Sequence, residues 1–146
     1  MTTMSKEHRA SECDVRGHLI PHRPGANDAH HARAMAWRAG IKGDFLTTEY
    51  VLLEFIDAMC QPPVRQRAVA TVRALREDDQ VHIVPGSTAL LDQGLEFFAR
   101  HDDKRWSLTD CISFSVMGRE GIRDALTSDH DFEQAGFRAL LRSEPP

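Results

Sequence analysis

Between Trp106 and Phe137 the chain reads WSLTDCISFSVMGREGIRDALTSDHDFEQAGF, and no other stretch limits the fold as much. Ser107 stands where it can cap a helix through LTDCISFSVMGRE that stops near Gly121. Cys111, Ile112, Phe114, Val116 and Met117 make that helix apolar over most of its circumference, so it must be largely buried. A strand over 122–128 follows almost at once, and 137–141 reads as a final short strand. A buried helix feeding a short strand is a unit of a layered α/β sheet.

The same alternation runs through the preceding chain. Asn27 or Asp28 can cap a helix through AHHARAMAWRAG that ends at Gly40, and Asp44–Thr47 reads as a short strand. Thr48 starts a helix, EYVLLEFIDAMC, that stops before Pro62 and Pro63. An amphipathic helix then runs from about Pro63 to Glu77. Gln80–Val84 is a strand ended by Pro85 and Gly86, and Ser87 caps a helix through ALLDQGLEFFARH. Short strands between longer helices imply βαβ units and a mostly parallel sheet covered on both faces. Ligands of such sheets sit at the carboxyl ends of the strands.

Residues 1–27 depart from this pattern. They are rich in His, Arg, Pro and Gly, with Pro21, Pro24 and Gly25 close together, and proline breaks helices and central strands alike. No core element is expected before Asn27. The domain is expected over 28–143, and 1–27 is read as an atypical segment, disordered or standing where a first strand was replaced.

A chain of 146 residues is one domain, able to bury roughly two-thirds of the surface its unfolded form exposes. The formal net charge of -4 argues against a purely electrostatic nucleic-acid coat. It leaves room for an enzyme that holds a few phosphates at a metal. No stretch approaches the roughly 18 apolar residues of a membrane helix, and the polar start MTTMSKEHRASECD has no signal core, so no membrane role and a cytoplasmic location are expected. Three cysteines without a CxxC point to a reducing compartment, with Cys60 and Cys111 read as core and Cys13 as exposed. The eight histidines include the adjacent pair His30 and His31, whose side chains point to different sides. With no HExxH or HxH spacing they read as structural or surface residues.

Three acids stand out. Asp110 lies in the first turn of the buried helix, and Asp129 lies where the strand through Ala125–Thr127 gives way to a loop. Glu54 interrupts the apolar run Val51–Ile56, where an unpaired carboxylate is costly. Each has a bland alternative. Ser107 and Asp110 have capping-box spacing, and Asp129 suits a turn that hydrogen-bonds its own backbone. Tyr50, Glu54, Asp57 and Gln61 recur at helical spacing and would form a solvent-facing stripe. Asp131 is a weaker candidate, for which the role of starting a short helical turn at Phe132–Gln134 is favoured. Carboxylates that do converge repel one another unless a cation joins them. An all-oxygen set suits Mg²⁺ or Mn²⁺, which activates water and neutralises charge on a phosphoryl oxygen. No nucleophilic triad, P-loop or GxGxxG is legible.

Over about residues 28 to 141 the chain resembles the PIN domain family, in particular its VapC-like toxin ribonucleases. The resemblance is carried by LTTEYVLLEFID and by the LTD–helix–ALTxDxxFEQAGF succession. It implies an α/β fold, a three-layer α/β/α sandwich with a short parallel sheet. It implies Mg²⁺- or Mn²⁺-dependent RNA cleavage, with Glu54, Asp110 and Asp129 as catalytic and metal-binding acids. It also implies a homodimer and an antitoxin partner. The family has a further acid at the end of its first strand, usually followed by Thr or Ser. Asp14 is the nearest candidate, in SECDVRGHLIPHRPGAND, but lacks both the apolar strand and the Thr or Ser. A second reading follows from that departure: a catalytically impaired PIN fold that only engages an antitoxin or other protein. An unrelated α/β domain with incidental acids is the third.

Overall fold

The computed structural model describes residues 15–19 and 28–145. Five parallel strands form one sheet, β1 (Val15–Leu19), β2 (Asp44–Thr48), β3 (Val81–Val84), β4 (Asp124–Leu126) and β5 (Arg138–Ala139), in the order β3-β2-β1-β4-β5. The helices are α1 (Asp28–Gly40), α2 (Glu49–Ala58), α3 (Pro62–Glu77), α4 (Thr88–Arg100), α5 (Leu108–Glu120) and α6 (His130–Gln134), with a 3₁₀ turn at Leu140–Arg142.

Alternation along the strands explains the layers. Leu46 and Ala125 face a core with Leu90, Ile112, Phe114, Met117 and Phe132, which brings α4, α5 and α6 to one side. Their neighbours Phe45 and Leu126 face the opposite side, against Val81, Leu140 and Leu141, with Trp37 of α1 and Leu75 of α3 packed on them. Successive strand residues point to opposite faces, so a sheet apolar at every position must be covered twice. The result is the α/β/α sandwich expected. A third cluster, Phe55, Met59 and Ala68, joins α2 to α3.

The helix signals operate as read. Thr48 Oγ1 accepts from the Val51 N–H at 3.2 Å, and Ser87 Oγ from the Leu90 N–H at 3.1 Å. Gly121, at φ 68°, ends α5 in the left-handed conformation that a residue with a Cβ adopts only at a cost. The strand β4 is shorter than the expected 122–128, because at its start the Ile122 N–H still bonds Met117 O in the helix stop and at its end the Thr127 N–H turns back to Ala125 O. The last strand is likewise cut to two residues by the 3₁₀ turn. Cys111 is buried as expected, whereas Cys60 is exposed at the α2–α3 corner, just ahead of the prolines; Cys13 lies outside the described residues.

One expectation is corrected outright. A core element does precede Asn27: β1 occupies the centre of the sheet, with His18 paired to Leu46 on one side and Ala125 on the other. The sequence VRGHL hides it, since Gly17 and two basic residues give no apolar or β-branched run. The prolines that argued against a strand come after it, and Gly17 sits at a register shift between β1 and β2. Central position, with a ladder on each side, supplies what side-chain propensity does not.

Candidate metal centre

In a parallel sheet with helical crossovers, each helix runs back against its strands. The start of α5 therefore lies at the same edge as the end of β4, and α2 begins at that edge because it follows β2 directly. Local hydrogen bonds fix the acids there. In the α5 capping box, the Ser107 N–H donates to Asp110 Oδ2 at 3.0 Å and the Asp110 N–H donates to Ser107 Oγ at 3.0 Å. Past β4, the Asp129 N–H donates to Thr127 Oγ1 at 3.1 Å, and Asp129 Oδ1 accepts from the Asp131 N–H at 2.9 Å. Asp129 is thus the cap of α6. The cap expected at Asp131 belongs to Asp129, because the helix starts one residue earlier, at His130.

Ligand-capable oxygens of Asp110, Asp129 and Asp131 all lie within 4.8 Å of one another. Capping and clustering are therefore not alternatives here. Asp110 and Asp129 each commit one oxygen to a backbone N–H, which orients the carboxylate and leaves the other oxygen for a ligand.

Aromatic packing sets the distance between the two helix starts. Phe114, one turn beyond Asp110, meets Phe132 edge-on at 4.8 Å between ring centroids, and Trp106 meets Phe114 at 5.1 Å. The Trp106 Nε1–H donates to Gln134 Oε1 at 3.2 Å. Phe132 directly follows Asp131 and is 1% exposed, so the DHDF turn is anchored in the core rather than draped on it.

The electrostatics are one-sided. Burial pushes the Asp110 carboxyl above its ordinary pKa, against the two Ser107 hydrogen bonds, and the charges of Asp129 and Glu54 push it the same way. Burial and then the Asp129 charge raise Asp131 as well. Among the described residues, no Lys, Arg or His pairs with Glu54, Asp110, Asp129 or Asp131. Excess negative charge with only oxygen donors is the donor set a hard divalent cation fits.

Glu54 stands apart from this group. It is exposed in the second turn of α2, near enough for its charge to reach Asp110 but outside the three-carboxylate cluster. Asp57 and Gln61 are exposed beyond it and Tyr50, one turn nearer the sheet edge, is half-buried, so the solvent-facing stripe exists and Glu54 is its acid nearest that edge. Asp14 lies outside the described residues. Asp131, the weaker candidate of the sequence, is the third member of the cluster. Its signal was the Asp-x-Asp spacing across a loop-to-helix turn, which folds two carboxylates toward one point.

The profile described as "PIN domain" matches residues 20–138. The "23S rRNA-specific endonuclease VapC20" of Mycobacterium tuberculosis, in strains CDC 1551 / Oshkosh and ATCC 25618 / H37Rv, is 32% identical over 115 residues, covering 77% of this chain and 85% of that protein. A crystal structure of M. tuberculosis VapC20, titled a "Sarcin-Ricin loop cleaving toxin", superposes with a TM-score of 0.74 at 28% identity, over 88% of this chain and 99% of the other.

Proposed function

The chain belongs to the PIN domain family, and from that premise we propose that it is a metal-dependent endoribonuclease acting as the toxin of a toxin–antitoxin pair. The observation that carries the reading is the gathering of Asp110, Asp129 and Asp131 at the carboxyl edge of the sheet without a basic partner among the described residues. Asp110 and Asp129, oriented by their backbone hydrogen bonds, would hold the ion, Mg²⁺ or Mn²⁺. When bound, such an ion lowers the pKa of water and neutralises charge developing on a phosphoryl oxygen. Glu54, whose charge reaches Asp110 from α2, would accept the proton of the attacking water. The aromatic contacts between α5 and α6 keep the acids from spreading under their own repulsion. The target named for the mycobacterial relatives makes a loop of 23S rRNA the first substrate to test. A homodimer, a masking antitoxin and a cytoplasmic location complete the proposal. No helix among the described residues is long and apolar enough to cross a membrane.

One observation favours the binding-only alternative. The central strand, VRGHL, carries no acid, and none follows it until Asp28. Incubation of the purified chain with ribosomal RNA separates the two. The nuclease reading expects discrete cleavage with Mg²⁺ or Mn²⁺ that is lost with EDTA and with Asp110→Asn. Cleavage that survives both rejects the mechanism. No cleavage in any divalent ion, with antitoxin binding retained, establishes the alternative.

A further inference from the structure

We propose that two copies of this chain join across the β3 edge of the sheet, α3 of each packed against α4 of the other; this rests on the homodimer of the proposed function, to which it gives a surface, and not on the ion. It starts from apolar side chains that the core does not use. Leu95 and Phe98 on α4 are 45% and 48% exposed, Val69 on α3 is exposed as well, and none of the three belongs to a core cluster. Leu91, Leu95 and Phe98 follow one another at helical spacing and form one stripe. The stripe lies on the flank of α4 away from α5, because α5 meets Gly94 and Phe97.

Topology brings the two helices to one place. β3 is an outer strand and pairs with β2 alone among the described residues. α3 leads into it and packs through Leu75 on one face of the sheet, while α4 leaves it and packs through Leu90 on the other. The flank of α3 that carries Val69 is turned toward this edge. Arg76, two turns along the same flank, reaches Glu49 Oε1 at 3.5 Å, and Glu49 Oε2 accepts the N–H of Gly86 just past β3. The edge of β3 therefore lies between two apolar flanks, and an outer strand is a liability unless something covers it.

Charge decides what covers it. Arg65 and Arg73 stand one turn to either side of Val69, and α3 has no acid before its last residue, Glu77. Asp92 stands one turn before Leu95, and Asp102 lies just past the end of α4. Arg65, Arg73, Asp92 and Asp102 are exposed, and none has an ion pair among the described residues. A basic apolar flank and an acidic apolar flank on one molecule fit each other in a second copy. A two-fold axis along the strands makes that contact twice. An axis perpendicular to the sheet sets α3 on α3 and α4 on α4, like charge on like. The axis along the strands also turns both carboxyl edges the same way, so the two acid clusters open on one side of the dimer.

Sedimentation equilibrium of the full chain in EDTA tests this with the ion out of play. Wild type is expected to be a dimer. Phe98→Glu is expected to weaken association by roughly tenfold or more, as is Arg65→Glu with Arg73→Glu, or Asp92→Arg with Asp102→Arg. The chain carrying all four reversals is expected to regain it. Leu53→Ser, which removes the exposed leucine of α2, is expected to leave association unchanged. The charge reversals touch no core residue and stand in should Phe98→Glu fail to fold. If wild type is a monomer, the homodimer and the surface both fall. If wild type is a dimer that neither pair of reversals weakens, or that the four together do not restore, the surface falls while the homodimer stands. If Leu53→Ser separates the copies and the reversals do not, the interface lies on α2 and the inference is overturned. RNA cleavage is read separately and is not touched by any of these results.

Discussion

Gly94 on α4 faces Ile112 on α5, and replacing it with alanine is a sharp test of how the first turn of α5 is held in place. A Cβ built at Gly94 lies 2.3 Å from Ile112 Cγ1, 3.3 Å from its Cδ1 and 3.5 Å from its Cα. Carbon atoms prefer about 3.5–4.0 Å, so the nearest contact overlaps by more than 1 Å. The offending atom is the branch of the isoleucine and not its tip, and Ile112 is 1% exposed, so a rotamer change has no empty space to enter. Overpacking of this kind costs about 1–3 kcal/mol, and the upper part of the range applies here. Against it stands the gain of about 1 kcal/mol from Gly to Ala inside a helix. The net is a loss of about 1–2 kcal/mol, or a Tm lowered by roughly 3–8 °C for a chain of this size. Thermal and urea unfolding measure it directly. The cause is isolated by a double-mutant cycle with Ile112→Ala, which alone costs about 2–5 kcal/mol. With Cγ1 gone, Gly94→Ala should turn neutral or stabilising. The reasoning is refuted if Gly94→Ala leaves the wild-type Tm unchanged or raises it, or if its cost is the same in both backgrounds.

Further outcomes follow from the acids and the packing around them. Since Asp110 holds its proton more tightly in the fold than in the unfolded chain, its contribution is fully favourable below the unfolded carboxylate pKa and is lost as pH rises through the folded value. In EDTA, the stability of wild type relative to Asp110→Asn should therefore fall from pH 3 to pH 7; a difference that is flat or rises with pH contradicts it. Divalent ion at about a hundredfold above its Kd should raise stability by about 2.7 kcal/mol, and Asp110→Asn should abolish that rise in a melting experiment. Ser107→Ala, which removes the Oγ that accepts from the Asp110 N–H, should cost about 1 kcal/mol in urea unfolding and weaken Mn²⁺ binding. A stability loss with no change in Mn²⁺ affinity would mean the cap does not orient the ligand.

The sequence disclosed most where local chemistry and tertiary demand coincide. Ser107 at a helix start and Gly121 at its end can be read without knowing the rest, because a cap satisfies its own backbone wherever the helix lies. That Asp110 and Asp129 would meet was legible for a related reason: topology places every helix start and strand end of a parallel sheet at one edge or the other. The central strand β1 was not legible, because its stability comes from ladders to β2 and β4 and not from the side chains of VRGHL. Nor was the separation of Glu54 from the other acids, which depends on how far up α2 it stands from the sheet edge. Asp131 was mistaken for a cap because helix starts are uncertain by a residue or two, and one residue decides which aspartate bonds the backbone.

The strand order has a consequence for how this molecule comes into being. The middle of the sheet leaves the ribosome first, and its partner on one flank, β2, follows soon after. Its partner on the other flank is β4, and until that segment emerges the inner strand has a naked edge open to unwanted pairing. Two of the three clustered acids, Asp129 and Asp131, arrive later still. A nascent chain that has not yet released the segment beyond β4 therefore cannot bring the three carboxylates together.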